Sequence, residues 1–237
     1  MGVVIVDGAL TAVGFVAALE SLSSDDELRK YKRAFPLARK GRDRFLGVPM
    51  GRVLELARAS AEMPLPQIEA LLDSPWHEAR VGALTIMDVQ ARRPTTPERR
   101  RELYELYLRR HDRIDSWDLV DRAAAHVVGG YLADRPRHPL LALAASESPH
   151  ERRTAIVAAA YFLEAGECAD LFAVADALAA DPDPEVQKAL GWALRGAPAQ
   201  ELEPFLARCA PRMSRTALRH AIEKLPKAAR SRFLDAS

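Results

Sequence analysis

The segment RIDSWDLVDRAAAHVVGGYL, Arg113 to Leu132, gathers three carboxylates around one indole: Asp115, Asp118 and Asp121 around Trp117. Acids at a helix start have a ready explanation. They satisfy orphan amides and suit the positive end of the helix dipole. Asp115 or Ser116 fits as a cap, and Asp118 fits as a first-turn acid. Asp121 lies four residues beyond Trp117, past capping range. It reads either as an ion-pair partner of Arg122 or Arg153, or as a carboxylate placed to do chemistry. Other catalytic templates fail: the chain has no GxSxG, GxxxxGK[ST], HExxH or GxGxxG. Its six histidines show no metal-ligand spacing, so no zinc is expected.

The elements that position these residues are helices. VLELARAS, PQIEALLDS, ELYELYLRR, ADLFAVADALAA and TALRHAIEKL space apolar residues by three and four. Alternating β-branched stretches are nearly absent beyond GVVIV. DSPWHE, TTPERR, ESPHER and DPDPEV put Ser, Thr or Asp before a proline near a first turn, a helix-start signature. Starts near Pro75, Pro149 and Pro184 resemble one another, and their spacings of 74 and 35 suit a unit of about 35–37 residues, the size class of two-helix repeats. A middle start is expected near residue 112. Such units bury their apolar faces only by stacking, so the expected fold is all-α, a curved solenoid of HEAT-like two-helix repeats. With no Gly- or Ser-rich linker, residues 1–237 read as one domain.

Trp117, Arg153 and Trp192 are 36 and 39 residues apart, close to one repeat each. They are expected to line one surface, the concave one, with Asp121 a helical turn from Trp117. Trp76 reads as core packing, and Gly129–Gly130 as a close contact between helices. The arginines from Arg99 to Arg110 alternate with Glu98, Glu102 and Glu105. They read as a solvated helix face, with phosphate contact as the minor alternative.

Composition narrows the class. A chain that is 49% hydrophobic can bury a core, and a formal charge of +1 announces no global field for nucleic acid. Cys168 and Cys209, far apart, suit a reducing compartment better than a disulfide framework. The apolar start MGVVIVDGALTAVGFVAAL lacks a basic leading segment and is interrupted by Asp7, which weighs against a signal peptide. No later segment is long and apolar enough to span a bilayer. A soluble, cytoplasmic protein is expected.

SWDLVDRAAAHVVGGYL, ERRTAIVAAAYFLEAG, QKALGWALR and MSRTALRHAIEKLP, with DRFLGV earlier, resemble the AlkD family of DNA alkylation-repair glycosylases. The resemblance runs from about Leu28 to Leu234, in the family's order and spacing. It implies a HEAT-like repeat fold and a monomeric, monofunctional glycosylase that needs no metal or other cofactor and is associated with the nucleoid through DNA. The implied partner is double-stranded DNA carrying N3- or N7-alkylated purines, processed without base flipping. By the same resemblance Asp121 is the catalytic aspartate of a WDxVD motif. Trp117 and Trp192 contact the deoxyribose of the lesion, and Arg153 grips the backbone nearby. Lys188, Arg195, Arg215 and Arg219 fall in matching motifs as phosphate contacts.

This chain departs from the family pattern at three places. KRAFPLARKGRDRFLGV, which follows Tyr31, is more basic and shorter on glycine, PMGRV shifts a proline toward the motif, and Gly196 replaces the acid that usually follows GWALR. A non-catalytic binder of distorted or branched DNA is the alternative on the same scaffold. A helical scaffold for protein partners is a third reading.

Overall fold

The structure, a computed structural model, describes residues 10–34 and 44–235. GVVIV and most of the basic stretch before FLGV lie outside the described residues. The described residues are all-α, with one isolated bridge between Arg44 and Trp76 and no strand. No helix among them is long and apolar enough to cross a membrane. The chain divides into two compact units, Met1–Asp115 and Ser116–Ser237.

The first unit holds α1 (Ala12–Ser21), α2 (Asp25–Ala34), α3 (Met50–Ala59), α4 (Leu65–Leu72), α5 (His77–Arg92) and α6 (Pro97–Arg109). Helix α5 is its centre, packed by α3 and α4, with buried residues on every side of its first three turns. Its fully buried Glu78 accepts backbone N–H groups from Leu46, Gly47 and Val48 at 3.1, 2.8 and 3.3 Å. The FLGV motif is thus a loop folded onto one carboxylate. Gly47, at φ 82°, is needed there because a Cβ would meet Ser24 O at 2.6 Å. The Tyr31 hydroxyl donates to Val48 O at 3.0 Å, and its ring stacks on Phe45 in the same loop.

Two expectations are corrected in this unit. Asp115 is not a cap: it pairs at 2.7 Å with Arg80, which is 2% exposed. A buried guanidinium needs a counter-charge more than a helix start needs a side-chain acceptor. Trp76 is half-buried rather than core, because α5 begins one residue after it. The arginine-rich face of α6 is solvated as expected, with Arg101 and Arg109 exposed, and its charges pair: Arg101 to Glu105, Arg109 to Glu69, and Arg110 to Glu69, Asp73 and Asp112. The hydrogen bond from Arg110 holds the Asp73 carboxyl below its ordinary range.

The second unit begins with α7 (Trp117–Ala123), which runs into a π-helical turn over Ala124–Gly129 and then α8 (Gly130–Leu132). It continues through α9 (Pro139–Ala144), α10 (Pro149–Ala160), α11 (Ala169–Ala177), α12 (Pro184–Leu194), α13 (Ala199–Cys209), α14 (Arg215–Ala221) and α15 (Lys227–Asp235). The repeat start expected near residue 112 falls at Trp117, after a short 3-10 turn over His111–Arg113. Helices α7, α10, α12 and α14 pack in that order, one against the next. Loops are tied to them from inside. Gln187 donates to Leu178 O and Ala179 O and accepts from Ser214 N, so one buried amide holds two turns. Arg152 bridges Asp181 to Ser146 O and Glu147 O.

The two adjacent glycines differ. A Cβ on Gly129 would meet Ala158 O at 2.5 Å and Tyr161 Cβ at 2.7 Å, whereas one on Gly130 would find nothing nearer than 3.7 Å. Close helix approach therefore explains Gly129 and not Gly130. Gly129→Ala is expected to lower the melting temperature, because overpacking by about 1–3 kcal/mol exceeds the gain of roughly 1 kcal/mol in helix propensity. Gly130→Ala is expected to raise it, because the propensity gain meets no clash. Thermal unfolding followed by circular dichroism checks both signs.

Candidate active site

The residues that the family resemblance implies for the site all lie in the second unit. Ser116 caps α7 by its extended backbone alone; its hydroxyl is buried and makes no hydrogen bond. Trp117 is the first helical residue and stays 41% exposed, while Asp118 sits in the first turn as expected. Asp121 follows one turn later, with its side chain 31% exposed.

From α10, Arg153 approaches Asp121 with a two-pronged grip. Its Nε donates to Oδ1 at 2.8 Å and Nη2 to Oδ2 at 2.7 Å. The third nitrogen, Nη1, donates to Glu185 O on α12 at 2.6 Å, with the Glu185 carboxylate 3.9 Å away. This guanidinium is 2% exposed, so its fork is fixed, and such paired charge-assisted bonds also fix the carboxylate. Its central carbon lies 5.9 Å from the Trp117 ring. One buried cation therefore sets both the acid and its position beside the indole.

The wall continues on α12. The Lys188 ammonium stands 5.3 Å from the ring of Trp192, which is 41% exposed. His220 on α14 meets that ring edge-on, at 5.7 Å and 78°. Arg215 and Arg219 are exposed on α14. Arg195 differs from them, because Glu223 takes its guanidinium at 2.7 Å. The acid missing after GWALR, where Gly196 stands, is thus replaced in space by one from beyond the end of α14.

The repeat register corrects the expected equivalence of Trp117, Arg153 and Trp192. The N-caps of the four helices are Ser116, Ser148, Asp183 and Ser214. Measured from them, Trp117 is the first residue, Arg153 the fifth and Trp192 the ninth. Each lies one helical turn further along than the last, because the caps themselves are spaced 32 and 35, not 36 and 39. The fifth positions are Asp121, Arg153, Lys188 and Arg219, a row of one acid and three bases across neighbouring helices. The indoles flank this row on opposite sides.

Three contributors were not legible as site residues. Glu185 acts through its carbonyl, which every residue type carries. His220 and Glu223 reach Trp192 and Arg195 across 28 residues each, without a motif to join them. Among the described residues, no group of three or more His, Cys, Asp or Glu is placed to hold a metal ion.

Stacked helices presenting an acid, two exposed indoles and a row of basic residues define the second unit as a helical-repeat structure. A family model described as DNA alkylation repair enzyme matches residues 15–225, and the chain belongs to that family. Its role is enzymatic repair of alkylated DNA. A solved structure described as a predicted DNA alkylation repair enzyme from Enterococcus faecalis shares this fold. The two match with a TM-score of 0.66 at 19% identity, over 86% of this chain and 97% of that one. No curated protein matches the chain.

The Glu223 carboxyl is held below the ordinary glutamate range, chiefly by its hydrogen bond from Arg195. A depressed carboxylate keeps its charge as pH falls and loses it only on passing the lowered value. The Arg195–Glu223 pair is therefore expected to persist below the pH at which a free glutamate protonates. Carbon-detected NMR titration of Glu223 checks this, with Arg195→Ala returning it to the ordinary range.

Proposed function

We propose that the protein is a monofunctional DNA glycosylase that hydrolyses the N-glycosidic bond of cationic N3- or N7-alkylated purines, such as 3-methyladenine and 7-methylguanine, in duplex DNA. The observation that carries this reading is Asp121, held by the fork of Arg153 beside exposed Trp117, in a chain of the DNA alkylation repair family.

The chemistry suits so sparse a site. An alkylated purine of this kind is cationic and already a good leaving group. Breaking its bond builds positive charge on the deoxyribose, and a fixed carboxylate beside that sugar stabilises the charge more in the transition state than in the ground state. The same carboxylate orients or deprotonates the attacking water. The electron-rich faces of Trp117 and Trp192 attract the cationic sugar by roughly 0.5–2 kcal/mol each. Arg153 holds the acid in place and contributes charge toward the nearest phosphate. Lys188, Arg215 and Arg219 then track the backbone, and Arg195 joins them when phosphate competes with Glu223. In this reading the enzyme acts as a monomer in the cytoplasm, on DNA held against the wall, and the base is not flipped. In this reading bulky adducts are also accommodated, because a base that is not flipped need not fit a closed pocket.

Asp121→Asn keeps an acceptor for Arg153 while removing the charge. It is expected to slow release of free base from methylated duplex DNA by at least ~10-fold, measured by chromatography, with DNA affinity retained. A wild type that releases no base, or a mutant equally fast, refutes the assignment. One observation favours a second reading, a non-catalytic binder of distorted or branched DNA: the charge of Asp121 is already matched by Arg153. That reading expects salt-sensitive binding without base release. Either reading expects affinity to fall on the order of 10³-fold between about 50 and 200 mM salt for ~6 phosphate contacts.

A further inference from the structure

We infer that His220 is a positioning residue that braces Trp192, fixing the indole plane against which the lesion-bearing sugar is held. The inference rests on the glycosylase reading of the wall, and adds to it a residue outside the acid, the indoles and the cations.

Trp192 is 41% exposed, so part of its ring stands outside the protein interior. Lys188 and His220 are among the side chains that meet it. Lys188 lies over the face at 5.3 Å on a flexible stem, and its ammonium is drawn away by phosphate when DNA arrives. His220 meets the ring edge-on at 5.7 Å with planes at 78°, a favoured aromatic geometry. An imidazole has only two side-chain torsions and stands on a neighbouring helix, so its contact remains when Lys188 leaves.

The approach that makes this contact is built into the backbone. A Cβ on Gly191, the residue before Trp192, would lie 2.4 Å from Ala217 O and 2.8 Å from His220 Cβ. Only glycine lets α12 close on α14 far enough for His220 to reach the indole. The same device occurs at Gly129, which faces Ala158 O and Tyr161 Cβ, again a carbonyl and the side chain three residues later. There Tyr161 meets His126 edge-on, at 5.6 Å, and no exposed indole is involved. At α12 and α14 the repeat contact has been turned to hold a ring that faces outward.

Other features carry less. The polar pocket lined by Glu62, Gln90, Arg93 and Arg99 has its amide and cations already satisfied within the first unit. Cys209, buried between Asp176 and Arg212, is a lone thiol with no access.

Two measurements test the brace. In a chain with Trp76→Phe and Trp117→Phe, Trp192 is the remaining tryptophan. Time-resolved fluorescence anisotropy should then show greater local motion of the indole in His220→Ala, restored in His220→Phe. Unchanged motion overturns the inference whatever the enzyme does. In the otherwise native chain, His220→Ala should lower the single-turnover rate of base release about 3- to 10-fold with little change in DNA affinity. The effect should vanish in a Trp192→Ala background, because a brace acts only through the ring it holds. An equal loss in both backgrounds, or a loss of affinity alone, assigns His220 a structural or phosphate-contacting role instead. A wild type without base release removes the glycosylase reading and the catalytic part of this inference, while the anisotropy result still decides whether the ring is braced.

Discussion

A guanidinium buried to 2% exposure cannot stand alone, and most of the second unit is arranged around that constraint at Arg153. Its three nitrogens reach two helices: the Asp121 carboxylate on α7 and the Glu185 carbonyl on α12. Removing the Asp121 carboxylate would leave this guanidinium buried without its counter-charge, which costs several kcal/mol, and losing the Glu185 carbonyl would leave a buried N–H unpaired. The spacing of α7, α10 and α12 is therefore set by polar geometry as well as by apolar packing. The consequence for chemistry is that Asp121 is pre-positioned. A carboxylate with both oxygens engaged has lost its rotational freedom, and in the proposed glycosylase reading that matters because electrostatic stabilisation is most effective when no reorganisation is needed.

The repeat makes that arrangement extensible. Each successive helix begins at a cap, and the fifth residue after it faces the same way, which yields Asp121, Arg153, Lys188 and Arg219 in order. The row holds one acid and three bases, of which Arg153 is buried against the acid while Arg219 is exposed. The glycines at 129 and 191 let neighbouring helices approach to backbone contact, and buried Gln187 and Arg152 tie the turns between them. Rigid stacking of this kind is what allows a site with so few functional groups to hold its geometry.

Much of this was legible along the chain. The helical periodicity, the caps before proline and the unit near 35 residues pointed to stacked helices, and the position of Asp121 past capping range marked it among three acids. The reading of Asp121 as an ion-pair partner of Arg153 and its reading as a chemical group were alternatives in the sequence; the geometry contains the first without removing the second. Other readings failed for physical reasons. Asp115 was offered beside Ser116 as a cap because the buried Arg80 that claims it lies 35 residues away. The indoles and Arg153 were taken as equivalent because a repeat plus one helical turn resembles a longer repeat.

Local order is what the sequence by itself determined: which segments are helices, where they start, which faces are apolar, and which residue types are unusual enough to be candidates. Those properties depend on neighbours within a turn or two, and composition and spacing encode them directly. Register between helices was decided only by the tertiary structure. It set which repeat position meets which, gave Arg195 to Glu223 and left Arg219 exposed, and placed His220 against Trp192. Such pairings depend on how closely two helices approach, and that distance is set by a missing Cβ or a buried charge whose partner is far along the chain.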